Sequence, residues 1–268
     1  MPSYVVTGAS RGIGYEFIRK LAKDQSNTVI GLVRNKAATK ERLARDSIKN
    51  VTIIEADITD FAAQQKAAAE TATLTGGSLD YLINNAALLF TASDTMDISE
   101  FENDLPFLEN ELMNAFTVNV VGVAKTITAF LPLIKKSTIK KVITLSTGMA
   151  DLDLNNEYSL TLSPAYTTSK SALNLLIGKY NAAYGAQGIL FLSITPGLVD
   201  TTEGVPQTPE KLAKLGPMVE SFKKYQPNFE GPITSGQSVE LMLKVVEGAT
   251  VEKYGGRFVS QFGNKQWL

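Results

Sequence analysis

The sequence predicts an α/β fold in which a doubly wound, mainly parallel sheet of about seven strands carries helices on both faces. Three observations predict it. Apolar runs of strand length alternate with segments of helical period along most of the 268 residues. Those runs are apolar throughout rather than at every second residue, as strands covered on both faces should be. A glycine-rich turn also joins the first run to the first helix.

The elements follow in order. Tyr4 to Thr7 is a strand, and Phe17, Ile18 and Leu21 mark the helix behind the glycine turn. Thr28 to Val33 is the second strand, followed by a Lys/Arg-rich helical stretch to Asn50. Val51 to Glu55, Leu79 to Ile83, Lys141 to Ser146 and Ile189 to Ile194 are further strands, and Arg257 to Gln261 is the last. Between them the pattern gives helices over Phe61 to Thr73, Glu109 to Leu133, Tyr166 to Tyr184 and Gly236 to Glu247. The stretch from Thr202 to Pro232, rich in Pro, Gly and Lys, breaks the rhythm and is a candidate substrate lid within one domain spanning residues 1–268.

Composition narrows the chemistry. The sequence has no cysteine and no histidine, which removes thiolate nucleophiles, disulfides and the commonest metal ligand, so no metal site is expected. Acid–base work falls to carboxylates, Lys or Tyr. A formal net charge of -1 argues against nucleic acid or an acidic membrane as partner. No window reads as a membrane span of roughly 20 apolar residues. The first residues, Met-Pro-Ser-Tyr-Val-Val-Thr-Gly, read as a strand rather than a signal peptide, so a cytoplasmic location is expected.

Gly8, Gly12 and Gly14 lie where a phosphate-binding turn of a Rossmann-type fold belongs: glycines admit a pyrophosphate and the helix N-terminus offers N–H groups to its charge. Tight strand–helix packing is the alternative use of the same glycines. The second strand ends in Arg34, Asn35 and Lys36 with no carboxylate until Glu41, and Arg11 sits inside the glycine turn. Two guanidinium groups suit a 2′-phosphate, which favours NADP(H) over NAD(H), although basic residues are also ordinary on surfaces. Asp57, after the third strand, suits the adenine amino group or caps the next turn. Asn84, Asn85 and Ala86 suit a ribose or a plain turn.

Tyr166 and Lys170 stand four apart on one predicted helix, so phenol and ammonium share a face. A nearby cation lowers a phenol towards working pH, where it exchanges a proton with a carbonyl or alcohol oxygen. Ser146 and Thr147 close the fifth strand and offer hydroxyls to that oxygen. Asn119, within an otherwise apolar and small stretch, needs a partner if buried: a bond to a helix backbone carbonyl is the plain structural use, and such a bond could also hold a water leading towards Lys170. The turn at Pro196 and Gly197, with Thr201, reads as a contact to the nicotinamide carboxamide or as an ordinary strand end.

Together these residues resemble the short-chain dehydrogenase/reductase family over nearly the whole sequence. Thr7-Gly-Ala-Ser-Arg-Gly-Ile-Gly14 is similar to its nucleotide motif, and Asn84-Asn85-Ala86 to its structural motif. Asn119, Tyr166 and Lys170 match three members of its catalytic tetrad. The resemblance implies cofactor contacts at Gly8, Ser10, Arg11, Gly12, Ile13 and Gly14, at Arg34, Asp57 and Ile58, and at Asn85, Ala86 and Ala87. It extends them to Tyr166, Lys170, Pro196, Gly197, Val199 and Thr201. Two departures stand out. Ser146-Thr147 replaces the usual Ser-Ser, putting Thr147 in the catalytic position with Ser146 as fallback, and Ala87 stands where Gly is common.

The function implied is NADPH-dependent reduction of a ketone, aldehyde or quinone-type carbonyl, reversible with alcohol oxidation, as in fungal members that reduce diverse carbonyls. The alternative is a catalytically silent NADP(H)-binding regulator or redox sensor. Leu88, Phe90, Met149, Leu152, Tyr158, Met218, Phe222 and Tyr225 are candidate pocket residues. A homodimer or homotetramer is expected through the two long helices.

Overall fold

The computed structural model describes residues 1–89, 93–202, 204–206 and 208–268. In chain order the elements open with β1 Ser3–Thr7, α1 Gly12–Leu21, β2 Thr28–Val33, α2 Lys36–Arg45, β3 Val51–Glu55, α3 Phe61–Thr75 and β4 Tyr81–Asn84. A single 3₁₀ turn over Ile98–Phe101 precedes α4 Leu105–Phe116, which runs through a π-helical stretch, Thr117–Gly122, into α5 Val123–Lys136. β5 Lys141–Leu145, α6 Leu152–Tyr158, α7 Pro164–Tyr184, β6 Leu190–Ile194 and β7 Val199–Asp200 come next. The last elements are α8 Pro209–Tyr225, β8 Ile233–Thr234, α9 Ser235–Glu247, α10 Val251–Tyr254 and β9 Phe258–Val259.

Seven strands form the main sheet in the order β3-β2-β1-β4-β5-β6-β9, every pairing parallel. Alternate side chains divide between two cores. Val6, Ile83, Ile143 and Leu192 pack beneath α1 and α9, while Val5, Leu82, Val142 and Phe191 pack beneath α3, α5 and α7. The strand order reverses between β1 and β4, and the carboxyl ends of the strands at that switch point form the natural ligand crevice.

Helix starts obey local chemistry. Asn35, Asp60, Asp104 and Thr208 each accept an N–H of the first turn of α2, α3, α4 and α8, and α3 stops at Gly76 with φ +67°. The stretch from 202 to 232 is not the irregular segment its prolines suggest. It contains α8, with Pro209 in the first turn where its missing N–H costs nothing, and its two roots are tied by β7 pairing with β8. The long helix read as Glu109 to Leu133 runs continuously from Leu105 to Lys136, and by length and composition it passes for a membrane span. The sequence reading missed that. Its most apolar window is 56% buried inside the protein, as a core helix is. The last strand is also shorter than expected, Phe258–Val259.

Candidate active site

The glycine turn is built by contacts to the segment after β4. Thr7 Oγ1 accepts the N–H groups of both Asn85 and Ala86 at 3.0 Å, and Asn85 Nδ2 donates back to the carbonyls of Thr7 (2.9 Å) and Gly8 (3.2 Å). A methyl on Gly14 would meet the Gly8 carbonyl oxygen at 2.3 Å, and one on Gly8 would meet Ala86 Cα at 2.9 Å. Packing within the turn therefore requires glycine at both positions. Gly12 differs: its φ is +54°, and among the described residues a methyl there would touch only Thr201, at 3.7 Å. Asn85, expected at the ribose, spends its amide nitrogen on the turn itself.

The adenosine end carries more than the sequence suggested. Arg11 starts α1 without any side-chain cap, and the first turn of that helix has no acidic residue. Ser10, Arg11 and Arg34 are exposed, with Ile13 half-buried beside them. Arg42, unremarked in the sequence, donates to the Ser10 carbonyl at 3.3 Å and lies 4.0 Å over the Tyr15 ring. Glu55 pairs in register with Val33, and its carboxylate accepts the Lys36 N–H at 3.0 Å. A carboxylate thus does stand near the end of β2, supplied by the neighbouring strand. Asp57 accepts both the N–H and the hydroxyl of Thr59 at 2.8 Å. Burial alone would raise its carboxyl, but those donors, with Arg34 and Lys125, hold it below the ordinary carboxylate range. Ile58 is buried against Gly122.

At the other end, α7 presents Tyr166 and Lys170 towards the end of β5. Lys170 is buried, and its Nζ donates to the Leu145 carbonyl at 2.8 Å, immediately before Ser146 and Thr147. Its Nζ stands 5.8 Å from the centroid of the Tyr166 ring. Burial brings the Lys170 ammonium down to about 8. The phenol of Tyr166 moves the opposite way from the expectation. Desolvation pushes it above its ordinary value, with the charge of Asp94 adding to the effect, and Lys170 does not offset them. The physical reason is that the ammonium is engaged by a carbonyl rather than paired with the phenol.

Ser146 and Thr147 occupy different surroundings. Ser146 is buried, its N–H donates to the Ile194 carbonyl, and its hydroxyl has no hydrogen-bond partner among the described residues. Thr147 is half-buried, and its Oγ1 accepts the Met149 N–H at 3.3 Å.

Asn119 is fully buried in the π-helical stretch, and the backbone carbonyl it bonds belongs to Leu88, outside any helix, rather than to the helix carbonyl expected. Its Oδ1 accepts the Leu88 N–H at 2.7 Å, while Nδ2 donates to the Leu88 carbonyl (3.1 Å) and to Ser169 Oγ (3.0 Å). The amide thus clamps the strand-like backbone beyond β4 to α7. A π-turn, common where helices carry functional groups, sets the amide at that point.

Beyond Ile194, Pro196 accepts the Ser238 hydroxyl at 2.7 Å, and Gly197, at φ +80°, lies against the Gln261 amide. Val199 belongs to β7, and Thr201 lies over Gly12. Ala87 is exposed at the crevice.

The candidate pocket residues divide. Met149, Tyr158, Met218, Phe222 and Tyr225 pack with Leu154, Leu160 and Trp267 into a third apolar cluster that roots α8. Leu152 is 73% exposed and faces away from that cluster, and Phe90 lies outside the described residues.

The arrangement has close counterparts. The family model for short chain dehydrogenases matches residues 3–212. The short chain dehydrogenase virK of Hypocrea virens is 47% identical over 273 residues, with all of both chains covered. The short-chain dehydrogenase/reductase AacuF of Aspergillus aculeatus is 45% identical over 269, again across both chains. An NADPH-bound carbonyl reductase from chicken fatty liver superposes with a TM-score of 0.76 at 26% identity, covering 98% of each chain. The carbonyl reductase Sniffer of D. melanogaster shares the fold at a TM-score of 0.77 and 22% identity. A parallel sheet with this crevice, a Tyr–Lys pair on α7, and relatives aligned from end to end make the chain an oxidoreductase of the short-chain dehydrogenase/reductase family.

Proposed function

We propose that the protein reduces a ketone, aldehyde or quinone-type carbonyl with NADPH, the reverse oxidation of an alcohol being the same reaction run backwards. The observation that carries this reading is the placement of Tyr166 and Lys170 at the carboxyl end of β5, with the Lys170 ammonium bonded to the carbonyl that precedes Ser146 and Thr147. Family membership implies a nicotinamide cofactor, and the crevice fits one. The uncapped start of α1 and the open left-handed Gly12 suit a pyrophosphate, and Arg11 and Arg34 suit a 2′-phosphate. Asp57 would receive the adenine end, with Ala86, Ala87, Pro196, Gly197 and Thr201 around the nicotinamide end. The chicken carbonyl reductase with NADPH supports the choice of cofactor by likeness.

The bound cofactor supplies the hydride. Tyr166 holds a proton at its phenol oxygen, and its raised value keeps that proton in place through neutral pH, which suits an acid working on a carbonyl oxygen. Lys170, still largely protonated at about pH 7, places positive charge 5.8 Å from the centre of the Tyr166 ring. Thr147, the more exposed of the two hydroxyls, donates to the substrate oxygen, and Asn119 fixes the Leu88 backbone that walls the site. Residues 202–232 act as a lid within one catalytic domain. Exposed Leu105, Met113 and Phe116 on α4 and Leu175 on α7 are the face through which two copies would associate. A cytoplasmic location goes with this reading, and imaging of the tagged protein tests it.

Calorimetric titration with NADPH and NADH, followed by a carbonyl panel read at the reduced-nicotinamide absorbance, tests the reaction. Tighter binding of NADPH with turnover is expected, and Tyr166→Phe should cut kcat by about 10²–10⁴-fold while binding NADPH as before. Binding without turnover across ketones, aldehydes and quinones would instead mark the protein as a silent nucleotide-binding regulator.

A further inference from the structure

Trp267 is the single tryptophan of the sequence and is buried. It joins four parts of the substrate side that are far apart in sequence. Its ring stacks on Phe258 of β9, with centroids 4.5 Å apart and planes 17° from parallel. The backbone N–H of Trp267 donates to the Tyr225 hydroxyl of the lid helix α8 at 3.0 Å, and that hydroxyl donates onward to the Lys265 carbonyl at 3.2 Å. Tyr225 in turn meets Tyr158 of α6 edge-on at 5.2 Å. On its remaining side Trp267 Cβ lies against Gly148, so closely that a methyl there would stand 2.7 Å away. Gly148 directly follows Thr147.

The approach to Trp267 is itself built. Asn264 accepts the Ser260 hydroxyl at 2.9 Å and the Gln266 N–H at 2.8 Å, which turns the segment back over the cluster. Lys265 pairs with Asp151, the residue that caps α6, at 3.6 Å.

We propose that Trp267 is a positioning residue for the reaction, holding the Thr147–Gly148 turn and the lid helix as one body so that the hydroxyl and the lid are set together. The proposal rests on the carbonyl-reductase reading for its effect on turnover, but the coupling of turn to lid is a property of the protein alone. A side chain packed between Gly148 and the Phe258 ring, on a backbone bonded to the Tyr225 hydroxyl, transmits displacement in either direction, because dense apolar packing leaves no slack to absorb it. A misplacement of the Thr147 hydroxyl by about 1 Å is enough to cost roughly 100-fold in rate.

Two arms test this. In the first, Trp267→Ala should lower kcat/KM by about 10- to 100-fold with NADPH affinity held within about twofold, and Trp267→Phe should restore most of the loss. Equal loss of NADPH affinity, failure of phenylalanine to rescue, or unchanged kcat/KM would overturn the proposal. In the second, Gly148→Ala presses on Trp267 from the catalytic side. It should raise acrylamide quenching of the Trp267 emission and speed tryptic cleavage within α8 at Lys223 and Lys224, read by mass spectrometry. Cleavage at the wild-type rate would show that turn and lid are not one body. A wild-type protein that turned over no carbonyl would sink the reductase reading, while this second arm would still decide the coupling.

Discussion

Lys170, in the role proposed for it, would serve chemistry at a cost to stability. Its ammonium is buried and bonded to a backbone carbonyl, and burial brings it down to about 8 from an ordinary 10.5. Below about pH 8 folded and unfolded chains both carry the proton, so the folded state bears the full cost of burying the charge. Between about 8 and 10.5 the unfolded chain binds more protons, and stability should rise with pH. Lys170→Met is therefore expected to lose turnover yet gain about 1–3 kcal/mol near neutral pH, an advantage that shrinks in alkaline melts. A lower melting temperature at about pH 7 would contradict this. Arg34→Asp should weaken NADPH about 10- to 100-fold and leave NADH nearly unchanged, and equal effects on both in calorimetry would refute the phosphate contact. At this scale the sequence displayed Tyr166, Lys170 and the glycines because their spacing is local. It hid Thr7, Glu55 and Leu145, whose roles come from strand register and from backbone atoms that any side chain could carry.

The elements divide along the same line. β1 to β6 were legible because each is an apolar run with a covered face on both sides. The lid helix α8 was not, since Pro209, Gly216 and Pro217 read as breakers. One of those prolines sits harmlessly in the first turn, and the helix is held by Phe222 packing under it. The short α6 was missed for want of length, and the π-turn at Asn119 because hydrophobic period cannot distinguish it from an α-helix. The glycine turn between β1 and α1 yields a prediction of its own. Gly14→Ala drives a methyl into the Gly8 carbonyl and should destabilise the fold by about 3 kcal/mol in denaturant melts. Gly12→Ala has room for the methyl and strains only its left-handed backbone. It should therefore lose about 1 kcal/mol of stability, and a larger share of its effect should appear as weakened NADPH binding. Equal stability losses for both variants would mean that the two glycines do the same work.

For the whole molecule, the exposed apolar residues on α4 and α7 are the feature that packing within one chain leaves unexplained. Leu105 and Leu175 expose more than three-fifths of their surface, and Met113 and Phe116 lie with Leu105 on α4. On the proposal that two copies associate through this face, Phe116→Glu with Leu175→Glu should leave only monomers in analytical ultracentrifugation, with little change in folding. An unaltered sedimentation coefficient would place the interface elsewhere. The order of strands carries another consequence, one of time. β1 lies in the middle of the sheet, between β2 and β4, and the edge strand β9 precedes the Trp267 segment. As the chain leaves the ribosome, the adenosine half can assemble once β4 has emerged. The substrate half waits for Phe258 and Trp267, some 170 residues later, which at about 5–20 residues per second is an interval of roughly ten to thirty seconds. During that interval the nascent protein would hold a nucleotide crevice before its substrate side existed, and on the function proposed NADPH would be the first ligand able to favour its folding.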